Sequence, residues 1–97
     1  MPEQRARKVS VAAIQMVCDP GKVEENLERA QKLVEEAVKK GAELVLLPEL
    51  MPSGYLATEE IWDYAETIDG QSVRWLKKIA KEHKIYLGFT FLEAEDE

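Results

Sequence analysis

Apolar residues in this chain fall into short continuous runs and longer stripes of helical spacing. The first run, residues 9–16, leads with β-branched residues and reads as a strand. Gln15 interrupts it, and a buried glutamine needs partners. The expectation is a hydrogen-bonded place in the core, with the ligand end of the sheet as the alternative. Residues 23–40 carry Val23, Leu27, Ala30, Val34 and Ala37 at alternating spacings of four and three, which predicts an amphipathic helix. Glu28–Lys32, Glu35–Lys39 and Glu36–Lys40 place acid before base on its solvated face. Gly41 suits a left-handed cap at its end, and Asp19 with Pro20 suits its start. The run 44–47 is too short for a buried helix and suits a strand covered on both faces.

A second amphipathic stripe, Val73, Leu76, Ile79, Ala80 and His83, predicts a helix over 72–84 capped by Ser72. Residues 85–92 then read as a third strand, in which Gly88 signals a bulge or a close approach. Between these elements, Thr58 followed by Glu59 and Glu60 predicts a short helix. Trp62 and Tyr64 within it are expected to pack, with substrate contact as the lesser alternative. Strand, helix, strand, helix, strand is an α/β order and implies right-handed parallel crossovers. Residues 1–8 are expected to form a mobile arm, 9–92 the folded part, and 93–97 an acidic tail.

The chemistry gathers after the central run. Pro48 has no N–H for a ladder and ends the strand. Glu49 therefore falls just past the carboxyl end of a parallel strand, where open α/β sheets bind ligands. Leu47, Pro48, Leu50, Met51 and Pro52 surround it in sequence, so it is expected to be poorly hydrated, with the raised pKa a general base needs. The alternative is a structural carboxylate that caps a turn or pairs with a lysine. The Ser53-Gly54 turn could bring the ring of Tyr55 back over Glu49, which makes Tyr55 a candidate substrate contact. Cys18 has no histidine or basic cluster beside it in sequence and reads as a small apolar filler rather than a nucleophile. His83, without a second ligand, gives no metal site.

Composition narrows the class. The 97 residues suffice for one small domain. A net charge of -6 argues against nucleic acid or an anionic membrane as partner. No run approaches membrane-spanning length, and the basic amino terminus lacks a cleavage-site pattern, so no signal peptide is expected. One cysteine allows no internal disulfide and fits a cytoplasmic location.

The ordered set Val11-Ala12-Ala13-Ile14-Gln15-Met16, Asn26-Leu27, Gly41-Ala42, Leu46-Leu47-Pro48-Glu49-Leu50, Gly54-Tyr55, Ala65-Glu66 and Asp69-Gly70 resembles the amino-terminal portion of the nitrilase, or carbon–nitrogen hydrolase, superfamily. The resemblance implies a nitrilase-like α-β-β-α sandwich, here only its first part. It also implies hydrolysis of a non-peptide C–N bond in an amide, nitrile or N-carbamoyl compound by a Glu-Lys-Cys triad, with no cofactor and no metal. Glu49 matches the glutamate of that triad. The lysine and the nucleophilic cysteine have no counterpart among these residues, so the polypeptide alone is expected to be inactive. Two helices can cover one face of a three-stranded sheet. The resemblance implies that the other face packs on a second sheet; here that face is expected to be apolar and open, which gives either self-association as a homo-oligomer or a marginal, aggregation-prone monomer. A non-catalytic α/β module acting through self-association is the alternative reading.

Overall fold

The computed structural model describes residues 6–95. Three parallel strands, β1 (Val11–Ala13), β2 (Leu44–Leu46) and β3 (Tyr86–Gly88), form one sheet in the order β1-β2-β3. Helix α1 (Val23–Lys39) joins β1 to β2. A 3-10 turn (Glu59–Tyr64) and helix α2 (Gln71–His83) lie between β2 and β3. The expected α/β order is present.

The ladders are shorter than the apolar runs 9–16 and 85–92. The central strand sets this limit. It enters at Leu44 and is halted by Pro48, so its neighbours find ladder partners over three residues each. Beyond the strands the chains stay in touch through single bonds. Ile14 N–H donates to the Leu46 carbonyl at 2.9 Å, and Leu47 N–H donates to that of Gly88 at 2.8 Å.

Register decides which side chains face the helices. Ala12, Val45 and Leu87 lie side by side and point to one face. Leu27, Ala30 and Val34 of α1 and Ile79 of α2 close over Val45, which is wholly buried. Both helices therefore sit on the same side of the sheet. The stripe predicted for α1 is the stripe that is buried, with Asn26 added to it. On the opposite face, Val11, Leu44 and Tyr86 form one row and Ala13, Leu46 and Gly88 the next. Val11 is 55%, Leu46 46% and Tyr86 78% exposed, so this face is bare and largely apolar. Gln15 is exposed as well, contrary to the expected core position. Strand alternation aims it away from the helices, where no core exists to receive it.

Helix ends also depart from expectation. Asp19 and Pro20 precede α1 by a turn, and Lys22 stands at its N-cap. Gly41 does take positive φ, at 93°, after α1. In α2 Ser72 lies inside the helix, and Gly70 occupies the N-cap. The first-turn donors are met by Glu66 instead. Its carboxylate accepts the Ser72 backbone N–H at 2.8 Å and the Ser72 hydroxyl. A negative group there also matches the helix dipole. A Cβ on Gly70 would stand 2.9 Å from Glu66 Oε1, so the approach needs glycine. Glu66 is further fixed through its backbone. Its N–H donates to Leu92 O at 2.8 Å and its carbonyl accepts from Ala94 N–H at 2.7 Å. The expected arm 1–8 and tail 93–97 lie partly outside the described residues.

The Glu66 contact is open to measurement. Glu66→Ala should cost about 1–3 kcal/mol in urea denaturation, since buried Ser72 loses its acceptor, whereas exposed Glu36→Ala should stay within about 0.5 kcal/mol.

Candidate active site

Glu49 lies in a turn that begins where β2 ends. Met51 N–H donates to the Pro48 carbonyl at 3.1 Å, and Gly54 N–H donates to that of Leu50 at 2.8 Å. Leu50 adopts φ 52°, a left-handed conformation that costs a leucine roughly 1–2 kcal/mol. Strain of this kind persists where neighbours over-determine the backbone. Two neighbours do so here. The Thr90 hydroxyl, just past β3, accepts the Leu50 N–H at 2.8 Å. Met51 and Pro52 are sealed in the core on the other side.

That sealing reverses the expectation for Glu49. Its apolar sequence neighbours Leu47, Met51 and Pro52 turn inward, and the turn carries Glu49 outward to an exposed position. Glu49 nonetheless borders a hollow of about 430 Å³ with Leu46, Leu47, Gly88, Phe89 and Thr90. Leu46 and Gly88 belong to the bare sheet face, so the hollow opens onto that face. Tyr55 does not join it. Its ring is 71% exposed and lines a separate hollow with Leu50, Leu56, Ile61 and Trp62. Tyr64 packs over Gly21, where a Cβ would meet its ring at 2.6 Å, while Trp62 is 61% exposed.

The site loop is tied from below by a residue that hydrophobic patterning undervalues. Asn26 is fully buried on the core stripe of α1. Its Nδ2 donates to the carbonyl of Asp19 at 2.9 Å and to that of Pro52 at 3.0 Å, and its Oδ1 accepts the Asp19 N–H at 2.9 Å. One amide thus joins the loop after β1 to the loop after β2. Gly21 N–H donates to Ser53 O at 2.8 Å beside it, and a Cβ at Gly54, where φ is 69°, would meet the Cys18 carbonyl at 2.9 Å. An asparagine within an apolar stripe was the available sequence signal.

Cys18 packs against the core from this same loop. Burial pushes its thiol above the ordinary value. The nearby Arg29 guanidinium works against that rise, and Asp19 adds to it. Such a thiol is a poor nucleophile at neutral pH, in keeping with its reading as filler. His83 is half-buried between the helices, with Nε2 3.8 Å from Glu35 Oε2. Among the described residues, no three of His, Cys, Asp and Glu gather as a metal would require. No helix among them is long and apolar enough to cross a membrane.

Comparison with known proteins agrees with the motif order. The family model described as Carbon-nitrogen hydrolase matches residues 10–97. The chain belongs to the carbon–nitrogen hydrolase family. Omega-amidase NIT2 of Xenopus tropicalis is 45% identical over 80 residues, covering 82% of this chain and 28% of the relative. Nitrilase homolog 2 of Dictyostelium discoideum is 43% identical over 76 residues, covering 78% and 23%. A nitrilase of Pyrococcus abyssi is 38% identical over 85 residues, covering 81% and 31%. The chain thus spans under a third of the length of these carbon–nitrogen hydrolase relatives.

Two substitutions probe what holds the turn. Asn26→Ala should lower stability by about 2–3 kcal/mol in denaturant titration, because it strands buried carbonyls and an N–H. Asn26→Asp should do no better, since a carboxylate cannot donate to the two carbonyls it would face. Thr90→Val should speed exchange of the Leu50 amide by about tenfold in hydrogen-exchange NMR, and Thr90→Ser should preserve its protection.

Proposed function

We propose that this chain carries the general-base segment of a carbon–nitrogen hydrolase, with Glu49 as the base. Family membership together with the position of Glu49, beside a hollow at the carboxyl end of the central strand, supports this reading. The proposed reaction opens the non-peptide C–N bond of a small amide, nitrile or N-carbamoyl compound. Glu49 would take the proton of a cysteine thiol, and the thiolate would attack the carbonyl or nitrile carbon. For an amide, nitrogen would leave with a proton and an acyl thioester would remain. Glu49 would then deprotonate water to release the acid. The resemblance assigns oxyanion stabilisation to a lysine and attack to a cysteine, neither of which has a match in these residues. Because a base without its nucleophile gives no covalent route, we propose that this polypeptide alone is inactive. An amide is the favoured substrate class, because a relative named omega-amidase is 45% identical over 80 residues.

Tyr55 is proposed as a substrate contact. Leu50 follows Glu49 in the chain and lines the Tyr55 hollow, so a substrate reaching past the turn would meet that ring. The single free thiol suits a reducing, cytoplasmic setting.

A second reading is favoured by one observation, the bare apolar sheet face. Under it the chain acts as a non-catalytic α/β module through self-association, as a homo-oligomer, and Glu49 is structural.

Assays with simple amides, nitriles and N-carbamoyl acids separate the readings. This chain alone should give no turnover. In a longer polypeptide that adds the lysine and cysteine, Glu49→Gln should cut kcat by at least about a hundredfold. Full activity of that variant would remove Glu49 from the mechanism.

A further inference from the structure

Glu49 is exposed, so where its carboxylate can reach is set first by the backbone it stands on. Two bonds close that backbone on itself, from Met51 N–H to the Pro48 carbonyl and from Gly54 N–H to the Leu50 carbonyl. Neither involves the peptide between Glu49 and Leu50. The N–H of that peptide, on Leu50, leaves the turn and donates to the Thr90 hydroxyl at 2.8 Å. Leu50 is held there at φ 52°, a conformation that disfavours an L side chain by roughly tenfold. A single neutral hydrogen bond shifts a balance of this kind by about threefold to tenfold. The two effects are of one size, so loss of the bond lets relaxed turns compete with the strained one.

Thr90 is placed for this bond by its neighbours in the chain. Alternation past β3 turns Phe89 toward the helices and Thr90 to the other side. Phe89 packs against the core, with its ring centroid 6.2 Å from that of Trp75 and 6.3 Å from that of Phe91. The carbonyls of Gly88 and Leu92, on either side of Thr90, accept the N–H groups of Leu47 and Glu66, each at 2.8 Å. The hydroxyl thus stands on a fixed stretch of chain, and Thr90 lines the same hollow as Glu49.

We propose that Thr90 is a positioning residue for the general base: through Leu50 it holds Glu49 at the edge of the hollow, where the thiol and then water must meet it. The proposal rests on the reading of Glu49 as that base. A general base works only within hydrogen-bond reach of the proton it removes, and a displacement of about 1 Å can cost about a hundredfold in rate. Relaxing Leu50 to negative φ turns the Glu49–Leu50 peptide and carries the carboxylate away from that edge. The population of the strained turn therefore scales kcat, while contacts that bind substrate elsewhere are left in place.

Amide hydrolysis by the longer polypeptide, with its lysine and cysteine, tests this below the melting temperature of every variant. Thr90→Val keeps the shape and removes the acceptor. It should lower kcat about tenfold and change KM by less than about threefold, and Thr90→Ser should keep at least about half of the wild-type kcat. A merely structural threonine would lower the melting temperature and leave kcat of the folded enzyme unchanged. A double-mutant cycle isolates the route through Leu50. Asparagine takes left-handed φ more readily than leucine, so in a Leu50→Asn background Thr90→Val should cost less than about threefold. Wild-type kcat in Thr90→Val, or the same loss in both backgrounds, would overturn the proposal. Glu49→Gln separates the two levels. Full activity in that variant removes the base assignment itself, whereas lost turnover there with Thr90→Val unaffected removes only the positioning role.

Discussion

The buried amide of Asn26 is the contact on which the arrangement of the site depends. Two loops leave the carboxyl ends of neighbouring strands, and each has backbone groups that helix and sheet cannot satisfy. One side chain, fully withdrawn from water, supplies an acceptor to the first loop and donors to both. The buried placement makes those bonds obligatory, because the same groups without partners would each cost about 1–3 kcal/mol. Once Pro52 is held, Met51 is drawn into the core. The chain between Pro48 and Met51 must then turn tightly enough to force Leu50 to positive φ. Glu49 is left at the crest of that turn.

The turn has an outer anchor as well. Thr90 meets the Leu50 N–H from beyond β3, so the Glu49 backbone is held between the end of its own strand and the end of the next. This is a rigid mount for a carboxylate that is itself exposed. Rigidity and dryness come from different parts of the structure. The helices and the inner sheet face supply the first. The second depends on whatever covers the outer face, since the hollow beside Glu49 shares Leu46 and Gly88 with that face.

Much of the architecture was legible because it follows from periodicity. The stripe on α1 and the apolar run before Pro48 each leave one packing solution, and the parallel sheet follows from the order of the elements, whereas both helices fall on one side because the strands run β1-β2-β3 across the sheet. The ladder ends were not legible. Residues 9–16 and 85–92 look like long strands, yet pairing stops where the short central strand stops. The cap of α2 was misread for a related reason. Ser72 has the right chemistry at nearly the right place, but the group that meets the helix donors is Glu66, brought there by a loop and by backbone bonds to Leu92 and Ala94.

Local composition alone settled the helices, the strand cores, the break at Pro48 and the identity of Glu49 as the carboxylate at the strand end. It could not settle how wet that carboxylate is. Hydration depends on which neighbours are near in space, and Leu47, Met51 and Pro52 are near in sequence while turned the other way. The same holds for Gln15, which an apolar run flanks in sequence and strand alternation exposes. Tertiary packing decided these points because solvent access is a property of faces, and a face exists only after the chain has folded.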